Sequence, residues 1–71
     1  MNKSKIEQIK ECIVECNHFI ADKKRLFSKG EELALKCSKV VGDNRIISSN
    51  DLVDELLVKK LRMKILELEG Y

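Results

Sequence analysis

The stretch IADKKRLFSKGEELA, residues 20–34, decides the fold: it either carries one long helix onward or divides it. With Ile6 placed at position a of a heptad, the a column reads Ile6, Ile13, Ile20, Phe27, Ala34, Val41. The g column reads Cys12, Phe19, Leu26, Leu33, Val40, and both columns are wholly apolar. The d column reads Ile9, Cys16, Lys23, Gly30, Cys37. Columns c, e and f hold no hydrophobic residue. This phase runs through residues 20–34 without a slip. It therefore predicts one helix over residues 4–41, roughly 57 Å long at about 1.5 Å per residue. Ser4 with Glu7 fits a capping box at its start, and Gly42 fits a left-handed end. The competing reading is a kink at residues 28–30, where Ser28 and Glu31 form a second capping-box pattern around Gly30.

Beyond Gly42, Asp43 and Asn44 extend a turn, and Arg45, Ile46 and Ile47 read as a short extended segment. Ser48, Ser49 or Asn50 is the expected cap of a second helix over residues 51–69, stopped by Gly70. That helix is apolar on two faces. Leu57, Leu61, Ile65 and Leu68 make one stripe; Leu52, Leu56, Met63 and Leu66 make another on the opposite side. One stripe suffices to dock on the long helix, so the second calls for a further partner.

The expected fold is an all-α helical hairpin, a single domain over residues 1–71. A second helix about 27 Å long reaches only the C-terminal half of the first. It leaves the stripe of Ile6, Ile9, Ile13, Cys16, Phe19 and Ile20 uncovered. Chains this short bury a modest fraction of their surface and often associate. The broad a/d/g stripe suits three or four helices rather than a two-stranded coiled coil. A homodimer forming a four-helix bundle is the expected assembly. Lys23, at a d position, is read as packing its stem and turning its ammonium outward.

Composition bounds the function. Leu, Ile, Lys and Glu dominate and proline is absent, as in a protein of long helices. The N-terminus MNKSKIEQIK lacks the apolar core of a secretion signal, and no run approaches the roughly 18 apolar residues of a membrane span. Three cysteines, an odd number, suit free thiols in the cytoplasm.

The cluster ECIVECNH, residues 11–18, resembles a set of metal ligands. Cys12 and Cys16 share a helix face, whereas His18 falls at f and points outward. Cys37 is remote if the helix is continuous, so no tetrahedral set forms and no metal or other cofactor is expected. No base stands beside a thiol and no Gly-rich phosphate loop is present, so no enzymatic activity is expected.

Net charge is only +2, but it is segmental. Lys23, Lys24, Arg25 and Lys29 form one basic cluster; Lys59, Lys60, Arg62 and Lys64 form another. In a hairpin the two adjoin, which supports a nucleic-acid-binding regulator as the alternative function. No aromatic platform accompanies them. The favoured reading is a non-enzymatic interaction protein, an adaptor, inhibitor or assembly factor. It self-associates and takes a protein partner on an apolar helix face through Ile6, Ile9, Ile13 and Ile20. A structural subunit of a larger particle or filament is a third reading. Short dimerising hairpins occur among phage and other mobile-element regulators, an analogy of architecture alone.

Overall fold

The computed structural model describes residues 3–24 and 26–70. The described residues are all-α, with three helices in place of the expected two. These are α1 (Lys5–Ala21), α2 (Phe27–Val41) and α3 (Glu55–Glu69). The longest dimension is 36 Å, too short for a continuous helix over residues 4–41.

The division comes earlier than Gly30, and Asp22 makes it. Its backbone is extended (φ −74°, ψ 123°), and its N–H closes α1 onto the carbonyls of His18 and Phe19. Its Oδ1 accepts the N–H of Lys24 at 2.9 Å. This local turn competes with helix propagation. The Ser28–Glu31 box is not used: the α2 cap is Leu26, extended and without a side-chain hydrogen bond. Gly30 lies inside α2, its N–H bonded to the Leu26 carbonyl at 3.1 Å. A Cβ there would stand 3.0 Å from Cζ of Phe19, so Gly30 serves close helix approach rather than helix breaking.

The other helix ends follow local chemistry. Ser4 Oγ accepts the Glu7 N–H at 3.2 Å. Gly42 ends α2 at φ 73°, and Gly70 ends α3 at φ 91°, both left-handed. The start of α3 differs from expectation: Asp54 caps it, its Oδ1 accepting the Leu57 N–H at 3.0 Å. Ser48, Asn50 and Asp51 instead build a turn. The Ser48 N–H donates to Asp51 Oδ2 and the Asn50 N–H to Ser48 Oγ. Replacing Asp54 with Ala should cost about 1 kcal/mol, the usual value of an N-cap side chain, read as a lower urea midpoint.

α1 and α2 are antiparallel, joined by a Glu15–Lys36 ion pair at 2.8 Å and by the Phe19 ring over Gly30. α3 does not fold back on α2. It packs on α1 and touches α2 little. Its first residues share a groove with Ile20, and its second half faces Arg45 and Ile46. α3 is thus antiparallel to α1. The connector, residues 42–54, makes this possible. With 15 residues α2 is about 22 Å long, and thirteen extended residues span up to about 43 Å. The segment around Ile47 is a turn, not an extended run, with the Ile46 and Ile47 N–H groups both bonded to the Asp43 carbonyl.

The stripe on α1 is broad because α1 has two neighbours within its own chain. Cys12, Cys16 and Phe19 lie on the α2 side, and the isoleucines lie on and beyond the seam toward α3. Ile9 and Cys16 are fully buried; Ile6, Ile13 and Ile20 are half-buried against the same core. The expectation that this stripe awaits another chain is therefore corrected. It rested on a second helix too short to reach, and a divided first helix removes that limit. The core also takes Val41, Leu57, Val58, Leu61 and Ile65, with Ile47 from the connector.

Candidate interaction surface

α3 presents the two faces its sequence pattern predicts. Leu57, Leu61 and Ile65 are buried, whereas Leu68, assigned to the same stripe, is exposed at the end of the helix. At 100° per residue, Leu56, Met63 and Leu66 fall on the far side, and they are 60%, 60% and 50% exposed. Leu52, just before the helix, is 72% exposed. Lys59 projects between Leu56 and Met63 on that same face and is exposed.

The apolar surface extends past α3. Leu52 and Val53 line a groove of about 520 Å³ together with Phe19, Phe27 and Gly30. Phe27 is 73% exposed. Its heptad position had placed it in the seam, as it had Leu26, which is also exposed. Once the chain turns at Asp22, that register no longer governs the first turn of α2. An exposed Phe beside an exposed Leu was a site that sequence periodicity assigned to the core.

The predicted partner-binding residues thus fall into two groups. Leu52, Leu56, Met63 and Leu66 are open to solvent. Ile9 and Cys16 are closed within the chain, while Ile6, Ile13, Phe19 and Ile20 are half-buried.

The described basic residues are spread over the turn after α1, over α2 and over α3. Lys23 and Lys24 stand in the turn after α1, at the end of the molecule where α3 begins with Asp54 and Glu55. Lys29 is exposed on α2; Arg25 lies outside the described residues. Lys60 and Lys64 turn toward acidic neighbours. Lys60 Nζ is 3.9 Å from Asp51 Oδ2, and Lys64 Nζ is 3.4 Å from Glu67 Oε1. Lys59 and Arg62 remain exposed on α3.

The cysteines come together, against expectation. Because the first helix divides, Cys37 folds back onto α1, and its Sγ lies 3.8 Å from that of Cys16. All three thiols are free and buried. Cys12 lies close enough on α1 to act on Cys37 as well. The Cys12 contact favours the Cys37 thiolate, but the Cys16 contact and burial prevail and push its pKa up to about 12. The Cys37 contact, aided by burial, pushes Cys12 up. The contact with Cys37 holds Cys16 below the ordinary thiol value against the effect of burial. His18 is exposed on the outward face. Among the described residues no group of three or more His, Cys, Asp or Glu side chains is placed to hold a metal ion. No described helix is long and apolar enough to cross a membrane.

No family model, curated protein or solved structure matches the chain.

Proposed function

We propose that this chain is a non-enzymatic helical interaction protein that self-associates and takes a protein partner through the outer face of α3. One observation carries the reading. Leu56, Met63 and Leu66 on the side of α3 opposite its buried stripe, and Leu52 before the helix, stay at least half exposed. Burying one such side chain is worth about 1.5–3 kcal/mol, and contiguous exposed apolar surface on a small protein marks an interaction site. The spacing of Leu56, Met63 and Leu66 suits helix-to-helix docking. In the proposed dimer two copies set these faces together, so that α1 and α3 of each make a four-helix arrangement. The reading places the protein among adaptors, inhibitors or assembly factors, acting in the cytoplasm.

Sedimentation velocity across a concentration series tests it. The unaltered chain is expected to run as a dimer at micromolar concentration. Met63→Asp combined with Leu56→Asp is expected to weaken association at least tenfold, about 1.4 kcal/mol. Both positions face solvent within one chain, so helix content by circular dichroism should not change. A folded monomer at every concentration of the unaltered chain rejects self-association.

A further inference from the structure

All three cysteines are free and buried in one core, and two of them, Cys16 and Cys37, touch across the boundary between α1 and α2. Small buried cysteines are ordinary core residues. What sets these apart is that two helices bring their sulfur atoms into van der Waals contact. Cys16 and Cys37, 21 residues apart in sequence, have Sγ atoms 3.8 Å apart. A disulfide needs about 2.05 Å. Closing that gap asks for a rotamer change and a small approach of two helices already brought near each other by Gly30 and Ala34. We propose that Cys16 and Cys37 form an intrachain disulfide when the protein meets a hydroperoxide, locking α2 onto α1, with Cys12 as the second thiol able to pair with Cys37.

The chemistry balances with the peroxide as oxidant. The Cys16 thiolate attacks one peroxide oxygen. An S–O bond forms, the O–O bond breaks, and the leaving oxygen takes a proton and departs as water or alcohol. The Cys37 sulfur then attacks the sulfenic sulfur. The S–S bond forms, the S–O bond breaks, and the second oxygen leaves as water. Both sulfurs are oxidised and the peroxide is reduced. Cys16 is suited to the first step because its contact with Cys37 Sγ, 3.8 Å away, holds its pKa below the ordinary thiol value.

Cys12 changes the partner, not the outcome. Cys12 and Cys16 sit one turn apart on α1 with parallel Cα–Cβ directions, so they do not readily bond to each other. Either one paired with Cys37 ties the same two helices. Access comes from local opening of α2. That helix starts without a side-chain cap hydrogen bond, and its cap residue Leu26 and first residue Phe27 are exposed, features that favour local opening. The link would fix the wall of the groove that holds Phe27.

The test uses the full chain, fully reduced and then treated with dilute hydrogen peroxide under native conditions. Intact mass after alkylation should show a monomeric product lacking two hydrogens, with one thiol alkylated in place of three. Peptide mapping of the unaltered chain should place the bond at Cys16–Cys37, with Cys12–Cys37 as a minor species. Cys37→Ser should abolish the intrachain bond, Cys12→Ser should keep it, and Cys16→Ser should slow it. Thermal unfolding of the oxidised chain should rise by roughly 10 °C, since the link constrains the unfolded chain. Three results overturn the proposal. They are thiols that stay reduced in the folded chain, sulfinic acid without a disulfide, or only bonds between chains. The mapping requires no variant, so a misfolded Ser variant does not blur the answer.

Discussion

Ile9→Ala is expected to remove a large part of the stability of the chain, on the order of half. Ile9 is fully buried on α1, the helix against which both α2 and α3 pack. Truncating a buried isoleucine to alanine costs about 2–5 kcal/mol, the transfer term plus the cavity left behind. A domain of 71 residues has a stability of roughly 4–11 kcal/mol in all. The lower half of that range leaves a partly unfolded population in buffer. The measurement is a urea titration followed by far-ultraviolet circular dichroism, at concentrations too low for association. Met63→Ala is the control: an exposed side chain on α3, it should move the midpoint by no more than about 0.5 kcal/mol. The pair separates two roles that sequence alone assigned alike. If Ile9 served only a partner, Ile9→Ala would leave the isolated chain as stable as Met63→Ala does. A cost below about 1 kcal/mol would show that α1 is not the shared core helix.

The features legible in the sequence were those that local chemistry decides. Ser4, Gly42 and Gly70 end helices because a hydroxyl can accept a backbone N–H and glycine adopts positive φ cheaply. The two faces of α3 were legible because a 3.6-residue period sorts them without reference to the rest of the chain. The division at Asp22 was not. Each helix keeps its own apolar phase, and the phases of α1 and α2 happen to agree across the turn, so continuity of register carried no information about continuity of helix. The d column held the one visible sign: Lys23 and Gly30 in succession interrupt the seam between Cys16 and Cys37. Gly30 was weighed as the breaker because glycine is poor in helices, whereas it is there to admit the Phe19 ring. The cysteine cluster followed the same fate. Along one continuous helix Cys37 is far from Cys16; across a hairpin it is a neighbour. Phe27 and Leu52 were hidden for a related reason, since their groove exists only after the connector has crossed the start of α2.

Ile47→Ala is expected to match Ile9→Ala in cost, about 2–5 kcal/mol, although Ile47 belongs to no helix. It is fully buried in the same core as Leu57, Leu61 and Cys37. Its surroundings explain how a connector residue comes to be there. Asp43 receives the N–H groups of Ile46 and Ile47 on its carbonyl and that of Arg45 on its side chain. Ser48 and Asp51 close a second turn immediately after. Both turns satisfy the polar backbone locally, which leaves the side chain between them free to enter the core. There it joins the core that all three helices share. Ile46, only half-buried, is the internal standard. Urea midpoints should order Ile47→Ala well below Ile46→Ala, with Ile46→Ala below the unaltered chain. Loss of Ile47 should also expose the inner face of α3, read as faster amide exchange at Leu57 and Leu61 than at Ile9. Equal and small effects at both isoleucines would mean that α3 is held by α1 alone and that residues 42–54 are a passive link. A large effect confined to Ile47 would make the connector a structural element in its own right, and the reason this short chain can close a core around one central helix.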